Sequence, residues 1–462
     1  MKRRDFLRTT GLTAAAFATR TLHAQDTINA TLTIDDSTKL STIPADYMGL
    51  SYESAQLANP AFFSAQNEPL IAIFRDLGTQ GVLRIGGGTS EFTAFTLDPQ
   101  TGPPPFDAVG PDTSKNVKSD TLITPAAIEN LRHFLDATGW RCLYGLNLGR
   151  GKVADAAIEG HHVQQILGPK LIAFQLGNEP DAWRNRYRPA NFTYDDYWKE
   201  WQTAHAAVIA TTPDAQFAGP DISNKMPYVT GFAADVGKSG ATDVVMLTSH
   251  YYAMGPAGAK DVTMEKLLSP DLKLRRDLAI AMDAAKSVNL PYRMDEGNSC
   301  WNGGQEGVSD TLASAVWAVD MMLDFASEGC AGINFHGGGN GFYTPIAGSL
   351  AAGFRERPEY FGMIFAKEFV GATLLATTLD SSSNRLRAYA ATKDGSRMIV
   401  AVNKTNQPAK LKTNFHRAKS QMTLTGPALD RQNGVYITDT VSTTLHNGVL
   451  SVWPRCAVLI RE

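Results

Sequence analysis

An alternation of short apolar runs with helical segments between residues 43 and 370 most limits how this 462-residue chain can fold. One run, residues 171–176 (LIAFQL), is bounded by Gly177, and a continuous apolar run of this kind is typical of a strand buried on both faces. Eight strand-then-helix units of this type favour a parallel sheet that closes into a (β/α)8 TIM barrel. The predicted fold class is therefore α/β, with an open doubly wound sheet as the alternative.

The chain changes character after Gly371. Short strand-like segments separated by turn residues follow, and no helical period is present. This pattern predicts a smaller C-terminal antiparallel β-sandwich over residues 371–462. A lone alternating segment, residues 30–35 (ATLTID), precedes the barrel pattern. We expect residues 26–42 to supply a strand of the sandwich, which would make that domain discontinuous around the barrel domain at residues 43–370.

The first 25 residues have the pattern of a targeting signal. Arg3-Arg4-Asp5-Phe6-Leu7 is followed by a weakly apolar segment over residues 11–17. This pattern predicts a twin-arginine signal peptide and a periplasmic or secreted protein. No other segment has 18 consecutive apolar residues, so no membrane association of the mature form is expected.

Charge and cysteine content exclude several classes of partner. The formal net charge is -3 with a pI near 6.3, which argues against nucleic-acid binding. Cysteines occur at four widely spaced positions: Cys142, Cys300, Cys330 and Cys456. They match neither a metal-ligand pattern nor a disulfide framework, so we expect buried single thiols, no metal and no cofactor.

Two glutamates follow predicted barrel strands. Glu179 lies between Asn178 and Pro180, and proline cannot continue a central strand; Glu296 ends a second stretch, residues 292–298 (YRMDEGN). Strand ends on this side of a barrel carry its chemistry, and two carboxyl groups are what glycosidic cleavage requires. Either glutamate alone could be a solvated loop residue, but their matching context favours Glu179 as acid/base and Glu296 as nucleophile. We expect a separation of about 5–5.5 Å and retention of configuration.

Several short motifs together resemble glycoside hydrolase family 79, a family of clan A that contains β-glucuronidases and heparanases. The motifs are Leu83-Arg84-Ile85-Gly86-Gly87, Gly177-Asn178-Glu179-Pro180, Glu296-Gly297-Asn298-Ser299, Trp301-Asn302-Gly303-Gly304, Ser309-Asp310-Thr311 and Gly339-Asn340-Gly341-Phe342-Tyr343. The resemblance spans residues from about 43 to 370 and implies the same barrel with a β-sandwich beside it.

The resemblance also implies roles for individual residues beyond the two catalytic glutamates. The substrate-binding residues would be Glu53, Asn178, Tyr252, Gly303, Gly304 and Tyr343. Asn178 would hold the sugar 2-hydroxyl, Tyr252 would hydrogen-bond the nucleophile, and Glu53 would accept hydrogen bonds from sugar hydroxyls.

The uronate carboxylate would be bound by the amides of Gly303 and Gly304 and by the hydroxyl of Tyr343, since neutral donors suffice for an anion. As alternatives, Tyr252 and Tyr343 could be packing aromatics and Gly303-Gly304 an ordinary turn. His250 could be a site residue or a core histidine and is not assigned. Residues 183–188 (WRNRYR) either line the leaving-group side or form a solvated basic face.

The two glutamates predict a hydrolase of carbohydrates, a retaining β-glycosidase. The resemblance implies, more specifically, an exo-β-glucuronidase that releases glucuronic acid from β-glucuronides or uronate-containing polysaccharides. Exo action is favoured over endo action because the balanced charge offers no obvious basic groove for a long sulfated chain. One alternative is a clan A β-glycosidase for a neutral sugar, such as a β-glucosidase or a xylan-active enzyme. The other is a non-catalytic carbohydrate-binding barrel. No aglycone, 4-O-methyl preference or oligomeric state is predicted.

Overall fold

The computed structural model describes residues 27–98, 121–415, 417–440 and 445–462. The predicted twin-arginine signal peptide and residues 99–120 lie outside this range. Within it, no helix is both long and apolar enough to cross a membrane.

The strands of the described residues are numbered in chain order. They are β1 (Ile28–Thr42), β2 (Met48–Glu53), β3 (Val82–Gly86), β4 (Thr93–Phe95), β5 (Thr121–Ile123), β6 (Arg141–Leu146), β7 (Leu171–Leu176), β8 (Phe217–Ile222), β9 (Val244–Pro256), β10 (Tyr292–Trp301), β11 (Gly332–Gly337), β12 (Ile346–Ser349), β13 (Gly353–Glu356), β14 (Thr373–Ser381), β15 (Leu386–Lys393), β16 (Ser396–Asn403), β17 (Ala409–Lys412), β18 (Ser420–Thr425), β19 (Tyr436–Thr440), β20 (Leu445–His446), β21 (Val449–Val452) and β22 (Cys456–Arg461).

The α-helices follow the same order. They are α1 (Glu68–Leu77), α2 (Pro125–Thr138), α3 (Val153–Leu167), α4 (Tyr194–Thr211), α5 (Met226–Ser239), α6 (Met264–Leu267), α7 (Leu272–Ser287), α8 (Leu312–Ser327) and α9 (Pro358–Ala366).

Eight parallel strands close into a barrel in the order β2-β3-β6-β7-β8-β9-β10-β11, and β11 pairs with β2. This confirms the predicted (β/α)8 barrel and excludes the open sheet. Every residue of β3, β8 and β11 is buried, because the barrel interior covers one face of each strand and the surrounding helices cover the other.

Local sequence signals set several helix ends. Helix α4 begins at a capping box in which Thr193 and Asp196 bond each other's backbone amides. Helix α8 begins at Leu312, after Ser309 and Asp310. Ser309 and Asp310 accept hydrogen bonds from the amides of Gln305 and Gly307, and therefore belong to the preceding turn. Helix α9 ends at Ala366 and continues as a 3₁₀ turn over Lys367–Phe369.

The C-terminal strands form one ten-stranded sheet with β1 in its interior, in the order β19-β18-β22-β16-β15-β14-β1-β17-β21-β20. Neighbours are antiparallel except β1 and β17, which run parallel. Alternation gives the sheet two apolar faces: Ile399 and Ala401 pack into the sheet's own core, while Val400 and Val402 join the barrel's core. The sheet is therefore fixed against the barrel through α8 and α9.

All four cysteines are buried and unpaired, as predicted.

Candidate active site

A cavity of about 1650 Å³ opens at the carboxyl ends of the barrel strands. Its walls include Glu53, Glu179, Tyr252, Glu296 and Tyr343. Parallel strands bring their carboxyl ends to one edge, so residues distant in sequence meet there.

Glu179 and Glu296 face each other across this cavity. One carboxylate oxygen of each lies within 4.8 Å of the other. So close an approach of the two oxygens fits a retaining pair, with carboxyl groups about 5–5.5 Å apart, better than an inverting pair, which needs about 6.5–9.5 Å. Glu179 has a left-handed backbone conformation, φ 51°, and its amide donates to the carbonyl of Asp221 at 2.9 Å. This bond fixes the end of β7 against the end of β8.

Glu296 lies in a strongly cationic environment. Its Oε2 accepts from Arg84 Nη1 at 2.5 Å, and its Oε1 accepts from the hydroxyl of Tyr252 at 2.9 Å. Burial alone would raise its pKa, but the charges of His336, His250 and Arg84 hold the pKa of Glu296 low, at about 2. An ionised, oriented carboxylate is what a nucleophile at this position requires.

His250 connects the two sides of the site. Its Nδ1 bonds Glu179 Oε1 at 3.0 Å, and its Nε2 bonds Asp221 Oδ1 at 2.9 Å. Burial opposes a charge on the ring, but Glu296 and Asp221 raise the pKa of His250 well above its ordinary value, so the imidazolium donates both bonds. The sequence left His250 unassigned. Its spacing of two residues from Tyr252 on β9, which places both on one strand face, is the signal that could have identified it.

Arg84 forms the floor of the site. Its side chain is fully buried, and its Nη2 donates to Asn178 Oδ1 at 2.9 Å and Asp221 Oδ2 at 2.7 Å. A Cβ on Gly86 would come within 2.7 Å of this guanidinium, so the glycine is required here. Arg84 belonged to a recognised motif but had no predicted role. The sequence feature that could have indicated a role for Arg84 is a charged residue in the middle of an apolar strand.

A shift in the pairing register of β10 accompanies a second buried carboxyl group, that of Asp295, in the barrel interior. The register with β9 shifts between Met294 and Glu296, and Asp295 accepts from Gln175 and lies 3.9 Å from Arg84. Burial, reinforced by the charge of Asp221, raises the pKa of Asp295 well above its ordinary value. The neutral form of Asp295 is therefore favoured, next in sequence to the ionised Glu296.

Glu53 lines the cavity at the end of β2. It accepts from the amide and hydroxyl of Thr89 at 2.7 and 2.6 Å, and His336 lies 3.4 Å away. Burial opposes ionisation, but the hydrogen bond and charge of His336 lower the pKa of Glu53. A Cβ on Gly87, where φ is 75°, would meet this carboxylate at 2.6 Å. The glycine-rich turn therefore serves close packing in the site.

Of the four other predicted binding residues, two line the cavity and two do not. Gly303 and Tyr343 line the cavity. Gly304 lies behind them, where a Cβ would collide with the Tyr343 amide, and Asn178 is only 6% exposed. Tyr343 also packs against the rings of Tyr252 and His336, so it combines a packing position with access to the cavity.

Among the residues that the structure describes, two groups of side chains have donors spaced closely enough for a cation: Glu179, His250 and Glu296, and Asp221, His250 and Asp295. Arg84 already neutralises Glu296 and Asp221, and both ring nitrogens of His250 are engaged. The donor set therefore fits an internal ion network better than a metal.

No family model matches the chain. It is similar to a protein named β-glucuronidase from Aspergillus niger, with 25% identity over 382 residues that cover 76% of this chain and 68% of that protein. A Neurospora crassa protein of the same name is 26% identical over 364 residues, covering 68% and 63%. A Gallus gallus heparanase is 23% identical over 288 residues, covering 58% and 52%. The chain thus spans about two thirds of the first two relatives and about half of the third.

Solved structures show the same fold. A 4-O-α-L-rhamnosyl-β-D-glucuronidase from Fusarium oxysporum superposes with a TM-score of 0.72 at 16% identity, covering 94% of this chain and 100% of that one. A GH51 arabinofuranosidase from Xanthomonas axonopodis pv. citri gives 0.67 at 15% identity, covering 94% and 99%. The relatives agree with the resemblance to family 79. The comparisons support a glycoside hydrolase.

Proposed function

We propose that this chain is a retaining exo-β-glucuronidase in which Glu296 is the nucleophile and Glu179 the acid/base. The observation that carries the proposal is the pair of carboxyl groups within 4.8 Å, of which Glu296 has three cationic neighbours and a pKa of about 2. Two relatives named β-glucuronidase support the choice of substrate.

The first half-reaction replaces the leaving group with the enzyme. Glu296 attacks the anomeric carbon while the bond to the glycosidic oxygen breaks, and Glu179 transfers its proton to that oxygen. In the second half-reaction Glu179 takes a proton from water, the water oxygen attacks the anomeric carbon, and the bond to Glu296 breaks. His250 and Arg84 hold the two carboxyl groups in position throughout.

The sugar would be recognised by the predicted binding residues. Glu53 accepts hydrogen bonds from hydroxyl groups, and Asn178, oriented by Arg84, holds the 2-hydroxyl. The hydroxyl of Tyr343 and the amide of Gly303 bind the uronate carboxylate from the nucleophile side. Gly304 permits Tyr343 to approach, since any side chain there would collide with its backbone.

The substrate assignment is tested by hydrolysis of nitrophenyl β-glucuronide beside the matching β-glucoside and β-xyloside. We expect a strong preference for the glucuronide, and Tyr343→Phe should lower that preference about tenfold, because a hydrogen bond to a charged group is lost. Equal turnover of a neutral sugar would instead support the neutral-sugar glycosidase. Sugar binding without turnover of any β-glycoside would support the non-catalytic barrel.

We also propose that residues 1–25 direct export by the twin-arginine route to the periplasm or beyond. Arg3-Arg4-Asp5-Phe6-Leu7 is the supporting motif. Fractionation of cells expressing the full chain should find the protein outside the cytoplasm. The Arg3→Lys/Arg4→Lys variant should remain inside, and equal export of both proteins would contradict the proposal.

A further inference from the structure

One wall of the cavity is aromatic and cationic. It contains Arg186 and Tyr187, from the basic segment whose role the sequence left open, together with Arg150 and Phe92. The Arg186 guanidinium lies 4.7 Å above the Tyr187 ring, and the Arg150 guanidinium lies 4.8 Å above the Phe92 ring. The two rings contact each other edge to face at 6.0 Å. Stacking on a ring holds each guanidinium in a defined plane.

This wall is on the leaving-group side of the site. Arg150 and Arg186 follow β6 and β7, and Glu179, which would protonate the departing oxygen, also lies just after β7. The uronate-binding residues Gly303 and Tyr343 follow β10 and β11, which stand four places further around the eight-stranded barrel. A substrate placed with its carboxylate at Tyr343 therefore directs its leaving group toward the two arginines.

The arginines of this segment differ in their partners. Arg188 forms an ion pair with Glu200 at 2.7 Å, and Arg184 donates to the carbonyl of Phe192. Arg186 is exposed and forms no ion pair with a carboxylate of the described residues. Within the same described part of the chain, the buried hydroxyl of Tyr187 has no hydrogen-bond partner. The wall thus offers a cation that forms no ion pair in the described protein, and the hydroxyl of the ring beneath that cation is buried without a partner there.

We propose that this wall binds an anionic group, a carboxylate or a sulfate, on the leaving group next to the glucuronic acid. The inference rests on the proposed β-glucuronidase activity and narrows it to glycosides whose released part is acidic. Arginine is the residue best suited to this recognition, because its planar donors match both anions. A small local cluster is sufficient even though the chain as a whole is acidic.

The test compares three substrates that share one glycone: 4-carboxyphenyl, 4-sulfophenyl and uncharged 4-carbamoylphenyl β-glucuronide. The measured quantity is kcat/KM for each anionic substrate divided by that for the neutral one. We expect Arg186→Gln or Arg150→Gln to lower this ratio about threefold to tenfold, with a smaller loss for Arg186→Lys, which keeps the charge. Arg184→Gln, which removes the same charge outside the cavity, should leave the ratio unchanged. Salt should reduce the ratio of the unmodified enzyme.

The proposal would be overturned if this kcat/KM ratio were the same in the unmodified enzyme, in Arg186→Gln and in Arg150→Gln. An effect confined to the carboxyphenyl or to the sulfophenyl substrate would assign the wall to that anion. Failure to cleave any of the three glucuronides would count against the proposed function instead, so the two failures are distinguishable.

Discussion

Three cations surround the proposed nucleophile at the scale of single residues. Arg84 contacts the Glu296 carboxylate directly, and ring nitrogens of His250 and His336 lie 3.9 and 3.7 Å from its oxygens. Their fields outweigh the cost of burying a charge, so the pKa of Glu296 is about 2. Loss of activity at mildly acidic pH is therefore not expected to come from protonation of Glu296.

Tyr252→Phe tests the neutral contact to the nucleophile. The change removes the 2.9 Å hydrogen bond to Glu296 Oε1 but keeps the ring that packs on Tyr343. Since bonds to charged groups contribute about 1.5–3 kcal/mol, we expect kcat/KM to fall about tenfold to a hundredfold. Steady-state kinetics with an aryl β-glucuronide measures this, with the melting temperature as a control for folding. An unchanged kcat/KM would show that Tyr252 only packs.

Glu91 is a buried carboxylate that fixes the position of the Glu179 segment. It accepts from the amide of Asn178 at 2.6 Å and from that of Gly149 at 2.5 Å. Burial raises the pKa of Glu91 to about 7, although these bonds oppose the shift. The ionised form accepts both bonds, whereas the protonated form has lost part of that capacity.

Glu91→Gln should therefore act in a pH-dependent way. Above about pH 7 the variant lacks an acceptor that the unmodified enzyme has, and we expect kcat to fall about fivefold; below about pH 6 the difference should shrink. The measurement is the ratio of the two pH–rate profiles. Glu159→Gln is a matched control, because Glu159 is also buried with a pKa of about 7. Glu159 lies on helix α3 and accepts from the Tyr144 hydroxyl, so it does not contact the Glu179 segment. A pH-independent ratio for Glu91→Gln would contradict this role.

At the scale of elements, the apolar runs predicted the barrel strands because such strands are buried on both faces. The run of β7 ends at Leu176, shortly before Glu179 and Pro180. The same reasoning placed Glu179 and Glu296 after strands; Glu179 does follow β7, whereas β10 continues past Glu296 to Trp301. The partners of these residues could not be predicted, since Arg84, Asp221 and His250 meet only through barrel closure. The register shift beside Asp295 arises from the pairing of β10 with β9. This pairing cannot be predicted from the β10 sequence alone.

The contact between α8 and the sheet depends on one buried carboxylate. Asp320 accepts from Lys404 Nζ at 2.5 Å and from the Tyr389 hydroxyl at 2.7 Å, and Arg387 lies 3.4 Å away. Lys404 is itself only 4% exposed. Packing and charge thus fix the sheet to the barrel together.

Removing only one partner of this pair should be costly. Asp320→Leu leaves the Lys404 ammonium buried and unpaired, so we expect a loss of about 3–5 kcal/mol in the free energy of unfolding. Asp320→Leu/Lys404→Met should recover a large part of that loss, because no charge is then left unpaired. Urea denaturation of both variants measures the difference. Equal stability of the single and double variants would contradict the arrangement.

At the scale of the whole molecule, buried carboxyl groups make stability depend on pH. Burial raises the pKa of Glu159 from 4.5 to about 7, so between these values the folded protein binds a proton that the unfolded chain does not. Stability should therefore decrease as pH rises through this window, by up to about 3 kcal/mol from this residue. Thermal unfolding across the window should show Tm falling less in Glu159→Gln than in the unmodified protein. Parallel Tm curves would contradict the assignment.

Trapping of the glycosyl-enzyme tests the central claim most directly, because one measurement reports both the sugar and the nucleophile. The enzyme would be treated with 2-deoxy-2-fluoro-β-glucuronyl fluoride or the matching glucosyl fluoride, digested, and examined by peptide mass spectrometry. We predict a fluoroglucuronyl adduct on Glu296 that is absent in Glu296→Gln, with little labelling by the glucosyl reagent. An adduct on another residue, or labelling by the glucosyl reagent alone, would contradict the account.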